Sequence, residues 1–246
     1  MLRLLVVTAH PDDEAAGFGG TLLLSHERGI ETYVICLTGG QAATHRGGAS
    51  SDEELAAMRR QEFAAACEHL HVTRGEVIGY PDGMLDRQNF HEVAGELTRR
   101  VREIRPHVML TFGTEGGITA HPDHSMAGIY ATMAFQWAAR TNRFTEQLDG
   151  RLQPWRAQKL YYSAAPFQLP ERQPIAPAPC TIEIDIRQYL QRKVEAFRKH
   201  TSQAPLFELF ERHLQQHNGK ERFHLAACIR PGAAGIETDL FAGVSE

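Results

Sequence analysis

The sequence predicts an α/β protein with a Rossmann-like, mostly parallel sheet, helices on both faces and a C-terminal elaboration. Strand and helix patterns alternate over the first ~140 residues, which is typical of a parallel sheet. The strands are largely continuous apolar runs, as expected when both faces of a sheet are covered. Right-handed crossovers make the arrangement Rossmann-like. We expect a single domain over residues 1–246, with a core of about 1–145 and an elaboration of about 146–246.

The first half of the core contains two strand–helix pairs. Residues 4–8 form a leucine- and β-branched run that indicates a buried strand. A helix over residues 13–28 follows, and Gly29 suits the position just past its end. Residues 32–37 are the second strand. Ser51 begins a capping-box pattern, which predicts a helix to about residue 70.

The second half repeats the alternation. Residues 76–78 form a short strand, and the turn Pro81-Asp82-Gly83 follows it. Asn89 caps a helix whose apolar stripe extends to Ile104. The remaining core elements are a strand over 107–112, a glycine-rich loop over 113–120 and a helix from residue 122 to about 141.

The last hundred residues are less regular. Four prolines between residues 168 and 179 indicate a loop. Phe207, Leu209 and Phe210 are interpreted as core or oligomer contacts. The expected elements are strands over 160–163, 181–185 and 223–229 and helices over 187–200 and 205–217.

Charge and composition exclude several classes of protein. The 246 residues carry 26 Lys and Arg against 30 Asp and Glu, a formal net charge of −4. Nucleic-acid-binding proteins usually present a strongly basic face, so no nucleic-acid partner is expected. No apolar run approaches the ~20 residues of a membrane helix, so no membrane insertion is expected.

The cysteines indicate the compartment. Cys36, Cys67, Cys180 and Cys228 are far apart and form no Cys-x-x-Cys pair. The short apolar segment 1–7 is followed at once by charged residues, unlike a secretory signal. We therefore interpret the cysteines as reduced and the protein as cytoplasmic.

Two of the 13 histidines begin copies of the same tripeptide, His-Pro-Asp. His10-Pro11-Asp12-Asp13-Glu14 follows the first predicted strand, and His121-Pro122-Asp123-His124 follows the fourth. Open α/β sheets bind ligands in the crevice at the carboxyl ends of their strands, so the two segments are predicted to share one cleft. A carboxylate at a helix N-terminus stays ionised and is ready for a cation.

A catalytic metal site is the hypothesis that these residues favour. Two imidazoles and one carboxylate with an open position for water form a recognised catalytic zinc site. The same set can hold Fe(II). The expected ligands are His10, Asp13 and His124. A lone His-Pro-Asp is usually an ordinary capped helix start, and it is the pair at two strand ends that favours the metal.

The other motif residues have chemical roles in this hypothesis. Asp12 lies beside a ligand without being one, so it is free to act as the general base. His121 is the candidate acid or oxyanion stabiliser. Asp123 is expected to orient a histidine.

These motifs resemble the signature of the PIG-L/LmbE-like N-acetylglucosaminyl deacetylase family, including its mycothiol- and bacillithiol-pathway zinc deacetylases. The similarity covers nearly the whole chain. Its further segments are Gly19-Gly20-Thr21, Arg59-x-x-Glu62, Tyr80-Pro81-Asp82-Gly83, Arg105-Pro106-His107-Val108, Lys193, His200-Thr201-Ser202-Gln203 and Glu237-Thr238-Asp239-Leu240-Phe241-Ala242-Gly243.

The resemblance implies a role for each matching residue. His10, Asp13 and His124 match the zinc ligands, and Asp12 matches the general base. His121 matches the residue that stabilises or protonates the transition state. The implied activity is removal of acetyl from an N-acetylglucosamine-type conjugate.

The expected substrate contacts are Arg59, Asp82, His200 and Glu14. Arg59 and Asp82 match positions that contact the sugar or its aglycone in relatives. Each of the four has an alternative. Arg59 would be a solvated helix residue and Asp82 an ordinary turn acid, while His200 would be structural and Glu14 a first-turn acid.

The chain departs from the family just before the second motif. Relatives often carry an aromatic residue there, commonly tyrosine, whereas this chain has Ile118-Thr119-Ala120. Thr119, or a tyrosine from elsewhere, would replace the phenol as a donor to the substrate.

The leading hypothesis is a metal-dependent N-deacetylase, an amide hydrolase in which zinc or Fe(II) activates a water and Asp12 takes its proton. A thiol S-conjugate amidase of the same chemistry is the alternative. Outside this chemistry stand a non-catalytic sugar- or metal-binding module and a non-haem Fe(II) oxygenase. The expected partner is a small-molecule amino-sugar conjugate, and a homo-oligomer is left open.

Overall fold

The computed structural model describes residues 1–164, 175–216, 218–230 and 237–246. The strands are β1 Arg3–Thr8, β2 Glu31–Thr38, β3 Arg74–Tyr80, β4 Val108–Phe112, β5 Lys159–Ser163, β6 Ile182–Asp185 and β7 Lys220–Cys228. The helices are α1 Asp13–Glu27, α2 Asp52–His69, α3 Phe90–Ile104, α4 Pro122–Trp137, α5 Leu190–Phe197 and α6 Phe207–Gln216.

One mixed sheet contains all seven strands, in the order β3-β2-β1-β4-β5-β7-β6. The first five strands in this order are parallel, while β7 is antiparallel to both β5 and β6. The predicted α/β class with a mostly parallel sheet is therefore confirmed. The elaboration after β4 extends the same sheet at one edge.

The order of the strands reverses between β1 and β4, which pair side by side. The crossover from β1 leads to β2 on one side, and the crossover from β4 leads to β5 on the other. Helices α1 and α4 therefore lie on opposite faces of the sheet. This is the topological switch point at which open α/β sheets bind ligands.

The two strands at the switch point form the centre of the core. Every residue of β4 is buried, and so is every residue of β1 except Arg3. Both strands are leucine- and valine-rich runs without alternation, as strands covered on both faces require. The rigidity of these strands fixes the segments that leave their carboxyl ends.

Helix α4 is shorter than predicted, because it ends at Trp137 and not near residue 141. Arg102 of α3 is almost fully buried and donates to the carbonyl oxygens of Ala138, Arg140 and Arg143. By donating to these carbonyl oxygens, the guanidinium supplies hydrogen-bond partners to the end of α4 and to the turn after it.

The C-terminal helices also differ from prediction. The helix expected over 187–200 is a 3₁₀ turn at Arg187–Tyr189 followed by α5, which ends at Phe197. Pro205 lies in a 3₁₀ turn, Thr201–Leu206, and α6 begins only at Phe207. A proline lacks the N–H that a regular helix interior needs. Of the predicted loop, residues 168–174 lie outside the described residues, as does His217.

In the described parts of the chain, no helix has the length and apolar character needed to cross a bilayer. Cys36, Cys67, Cys180 and Cys228 are all free, and the first two are buried.

Candidate active site

The two His-Pro-Asp segments meet at the switch point. His10 lies two residues after the last residue of β1, and His124 lies in the first turn of α4, the helix that follows β4. The rings of His10 and His124 are 5.1 Å apart between centroids, although the residues are separated by 114 positions. The predicted convergence of the two motifs in one cleft is what the structure shows.

Potential ligand atoms of three residues face one another there. His10 Nδ1 lies 3.2 Å from His124 Nε2. Asp13 Oδ1 lies 3.2 Å from His124 Nε2, and Asp13 Oδ2 lies 3.7 Å from His10 Nδ1. Tetrahedral ligands at zinc distances of about 2.0–2.2 Å are separated by about 3.3–3.6 Å. The size of the triangle therefore fits a single metal ion.

The hydrogen bonding behind the triangle also favours a cation. His124 Nδ1 lies 3.2 Å from the carbonyl oxygen of Gly116, which can only accept, so Nδ1 carries the ring proton. The lone pair on His124 Nε2 then points at a carboxylate oxygen and at a second imidazole nitrogen. Such a cluster of lone pairs is stable only with a proton or a metal ion at its centre.

The surroundings of Asp13 favour its ionised form. Its Oδ2 accepts from the backbone N–H groups of Ala9 and His10, at 3.2 and 2.8 Å. Burial alone would raise its pKa, but His124, His10 and the backbone N–H of His10 together hold the pKa well below its usual range. The free oxygen, Oδ1, faces the ligand triangle.

The outer nitrogen of His10 faces two further carboxylates. Nε2 lies 3.1 Å from Asp82 Oδ1 and 3.4 Å from Asp123 Oδ2, without a straight hydrogen bond to either. Burial lowers the pKa of His10, but Asp123, Asp82 and Asp13 outweigh it and raise the pKa to about 10. The field of these three acids strongly favours positive charge at the site.

A second set of ligand atoms, from His10, His121 and Asp123, is also close enough for a metal among the described residues. It fits less well. Asp123 accepts from the backbone N–H groups of Gly83 and Leu85, at 2.7 and 3.1 Å, and is fully buried. His121 Nδ1 accepts from the N–H of Asp123 at 3.1 Å. These groups already have backbone partners, whereas in the first set the backbone contacts are made by Asp13 Oδ2 and His124 Nδ1, so that Asp13 Oδ1 and His124 Nε2 face each other.

Asp12 lies at the edge of the triangle in a strained conformation. Its φ of 115° is in the left-handed region that side chains usually avoid, and such strain is common at functional sites. Its side chain keeps 18% of its surface exposed. Burial raises its pKa to about 6, with the Arg59 guanidinium opposing the rise. A carboxylate with this pKa can exchange a proton near neutral pH.

Arg59 is placed differently from the expectation of a direct substrate contact. It is 3% exposed and donates to Asp12 Oδ2 and to the carbonyl oxygens of Gly40 and Pro11. Gly40 has a positive φ, and a Cβ there would collide with the guanidinium. Arg59 therefore contacts Asp12 and the loops around it.

Asp82 lies behind His10. Its Oδ2 accepts from the backbone N–H of Ala42 at 2.8 Å, while its Oδ1 faces His10 Nε2. Burial would raise the pKa of Asp82, but His10 brings it below its usual range. Asp82 was expected to touch the substrate, whereas its carboxylate is directed at His10.

The expectation that Glu14 and His200 contact the substrate is corrected by their burial. Both side chains have 0% exposure, and Glu14 Oε1 lies 2.6 Å from His200 Nε2. Glu14 Oε2 accepts from the backbone N–H of Asp12 at 3.0 Å. Neither group can reach a ligand in the cleft. The pair instead lies behind Asp12.

The segment after His200 is anchored to α2. Glu62 accepts from the hydroxyl of Thr201 at 2.7 Å and from both the N–H and the hydroxyl of Ser202, at 2.6 and 2.7 Å. Two of the segments that resemble the family are therefore in contact, because Glu62 of Arg59-x-x-Glu62 accepts hydrogen bonds from Thr201 and Ser202 of His200-Thr201-Ser202-Gln203.

Thr119 occupies the position of the missing aromatic residue. Its hydroxyl lies 3.3 Å from His124 Nδ1. Reasoning from the sequence missed both this contact and the carbonyl of Gly116. The one available signal was the glycine-rich loop itself, where Gly116 has a φ of 84° and its carbonyl oxygen lies 3.2 Å from His124 Nδ1.

Comparison with known proteins gives a consistent result. Residues 5–135 match the PIG-L family, described as GlcNAc-PI de-N-acetylase. The chain is 31% identical to a 1D-myo-inositol 2-acetamido-2-deoxy-alpha-D-glucopyranoside deacetylase of Thermobispora bispora, over 98% of both chains. It is 30% identical to a mycothiol S-conjugate amidase of Streptomyces coelicolor, over 85% of this chain and 78% of that one.

A solved structure shares the fold. The N,N'-diacetylchitobiose deacetylase of Pyrococcus horikoshii superposes with a TM-score of 0.78 at 24% identity, over 91% of this chain and 83% of that one. At this level of identity the likeness shows the fold alone.

Proposed function

The chain belongs to the PIG-L family, the GlcNAc-PI de-N-acetylases, and on that premise we propose that it is a metal-dependent amide hydrolase that removes the N-acetyl group from a small amino-sugar conjugate. One observation carries the proposal. One potential ligand atom from each of His10, Asp13 and His124 lies within 4.8 Å of the other two, and Asp12 is the neighbour of Asp13 in the chain. This arrangement supplies a cation site and a base in one cleft.

We propose zinc as the metal, with Fe(II) as the second choice. Two imidazoles and one carboxylate suit either ion. When bound, such an ion lowers the pKa of a water toward ~7 and polarises the amide carbonyl. His10, Asp13 and His124 would hold it.

Asp12 is the proposed base. Its carboxylate would take the proton of the attacking water, since it borders the ligand triangle and keeps part of its surface open. Arg59 and Glu14 fix it from two directions, the first through a side-chain oxygen and the second through the backbone N–H. We propose that these two act as positioning residues.

His121 is proposed as the donor to the oxyanion. Its Nδ1 accepts from the N–H of Asp123, so its proton lies on Nε2. Burial, His10 and His124 lower its pKa, which keeps the ring neutral. A neutral ring can donate a hydrogen bond but carries no spare proton. The leaving amine would then receive its proton from Asp12, acting a second time.

Asp82 and Asp123 would orient His10 through its outer nitrogen. Carboxylates behind a ligand histidine fix its ring orientation and raise its basicity. This accounts for two buried acids that contribute no atom to the reaction itself.

The substrate class follows from the relatives. We propose N-acetylglucosamine joined to a small polyol as the first substrate, because the Thermobispora bispora relative is named for an inositol conjugate. The Streptomyces coelicolor relative favours a thiol S-conjugate amidase as the second candidate. We also propose a cytoplasmic location, supported by the four free cysteines, and one domain, supported by the single sheet.

The test is a hydrolysis screen that detects free amine and acetate. The panel joins N-acetylglucosamine to inositol, malate, a lipid or a simple sugar, with a thiol S-conjugate alongside. Metal-free protein is reloaded with zinc or, without oxygen, with Fe(II). We expect equal amounts of amine and acetate from one conjugate, and an Asp12→Asn control that binds metal but turns over far more slowly. A metal-loaded protein that cleaves no member of the panel would indicate a binding module.

A further inference from the structure

An apolar cavity of about 300 Å³ adjoins the proposed metal ligands. Asp13 and His124 form one end of it, next to Phe112 at the end of β4. The cavity is therefore continuous with the reaction centre. Apart from Asp13, His124 and Thr119, the residues that line it have no task in the chemistry proposed above.

The far wall comes from the C-terminal helices. Leu206, Leu209, Phe210 and Leu214 line it, and Phe210 stacks on Phe197 at 4.1 Å between centroids. None of the described side chains of α6 is fully buried. The apolar face of α6 thus borders the cavity, where the sequence suggested core or oligomer contacts.

The charged residues of the cavity already have partners. Lys193 pairs with Glu221, and both side chains are at most 5% exposed. Lys220 and Arg222 both pair with Glu183. Arg222 Nη1 is buried without a hydrogen-bond partner among the described residues, but apolar side chains form most of the lining, so the open space favours an apolar ligand.

The positions of the proton-handling groups decide which part of the substrate enters. The leaving amine must face Asp12, its proton donor. The other substituent of the carbonyl carbon, the acyl group, points away from the amine. Among the residues described, neither Asp12 nor His121 lines the cavity, whereas Asp13 and His124 do. The cavity is thus on the acyl side of the bound amide.

We propose that this cavity binds the acyl chain of the substrate, and that the enzyme hydrolyses amides with straight acyl chains longer than acetyl. The proposal rests on the proposed function and deepens it. An acetyl methyl group fills about 30 Å³, roughly the share of one water in the liquid. The cavity offers several times the space that acetyl needs, which is enough for a chain of six to eight carbons.

Gly17 provides the means of testing it. It lines the cavity on the same face of α1 as Asp13, one turn away. A Cβ built at Gly17 meets nothing within 4 Å, and its φ is not in the left-handed region. A leucine at this position would fill the cavity without displacing the backbone. Alanine at the same position is the matched control.

The first measurement is binding of straight-chain carboxylates to the metal-loaded protein by calorimetry, from acetate to octanoate. We expect the affinity to rise about fourfold for each added methylene, since each buried one contributes roughly 0.8 kcal/mol. G17L should lose at least tenfold for octanoate and little for acetate, while G17A should follow the wild type. Affinities that do not depend on chain length would overturn the proposal.

The second measurement is hydrolysis of N-acetyl, N-hexanoyl and N-octanoyl glucosamine on one aglycone. We expect cleavage of all three, with G17L slowing only the longer two. Cleavage of N-acetyl alone would refute the proposal, and so would a G17L defect confined to N-acetyl substrates with an apolar aglycone. If none is cleaved, the proposed function fails, while the carboxylate series still tests the cavity.

Discussion

The two His-Pro-Asp segments have the same tripeptide and differ in where their helix begins. In the first segment α1 begins at Asp13, after the tripeptide, and Asp12 has a left-handed backbone. In the second segment α4 begins at Pro122, inside the tripeptide, and His121 is the residue that caps it. The start of the helix is therefore shifted by two positions relative to the motif.

Because of this shift, the two histidines have different partners. His10 precedes its helix, so both of its nitrogens are turned toward other side chains. His121 caps its helix, so its Nδ1 is used by a backbone N–H. The two aspartates also differ in exposure, because the side chain of Asp12 is 18% exposed and Asp123 is fully buried.

The comparison teaches that the register of a motif against its helix decides its chemistry. In the proposed site, the first segment supplies two ligands, His10 and Asp13, and a base, Asp12. The second supplies one ligand in the first turn of its helix and a neutral donor at its cap. The first two predictions below each change one member of such a pair and leave its counterpart intact, and the last two change a residue that contacts one of the segments.

The largest difference is expected between the two motif histidines. His10→Ala removes a ligand, so bound metal should be lost and kcat/KM should fall by more than about 10³-fold. His121→Ala should keep the metal, with kcat lower by about 10²–10³-fold, as for an oxyanion donor. Metal content by mass spectrometry beside kinetics distinguishes them. Equal metal loss in both variants would contradict the assignment.

The two motif aspartates should differ next. Asp12→Asn should retain the metal and lower kcat by about 10²–10⁴-fold, because the base is lost. Asp123→Asn should mainly weaken metal affinity, by about 10–100-fold, because it only orients His10. Chelator competition measures the second effect and turnover at saturating metal the first. A reversed pattern would exchange their roles.

A smaller effect is expected in the pH profile. Asp12 must be ionised to act as a base, so activity should fall as the pH drops through its pKa. The Arg59 guanidinium opposes the rise in that pKa caused by burial. In Arg59→Gln the pKa of Asp12 should therefore rise, and the acid limb of kcat/KM should move to higher pH. Arg59→Lys keeps the charge and serves as the control. An unmoved limb in Arg59→Gln would show that the two groups are uncoupled.

The smallest effect is expected at Thr119. Thr119→Val removes the hydroxyl that faces His124 Nδ1, while the carbonyl of Gly116 remains. We expect metal affinity to fall by less than about tenfold, at the lower limit for groups behind a ligand. Thr119→Ser should behave as the wild type. A complete loss of metal in Thr119→Val would mean that the hydroxyl fixes the ring.

The sequence was sufficient for the fold and for the convergence of the motifs. Apolar runs and capping patterns located each strand and helix of the core, because these signals are local. The His-Pro-Asp units at two strand ends then pointed to one crevice, because parallel strands end at the same edge.

The contacts behind the site were not predictable, because they join distant segments. Arg59 and Asp12 are 47 positions apart, and His200 and Glu14 are 186 apart. Nothing local in Arg59 distinguishes a buried guanidinium from a solvated one. The same holds for Asp82, whose turn is ordinary but whose carboxylate faces His10.

The most direct test of the central claim is the position of the metal itself. Crystals of the zinc-loaded protein, measured on both sides of the zinc absorption edge, give an anomalous difference peak that locates the ion. We predict one peak, bonded to His10 Nδ1, Asp13 and His124 Nε2. A peak bonded to His10, His121 and Asp123 would contradict the account, because the second segment would then supply two of the three ligands, whereas we assign two to the first.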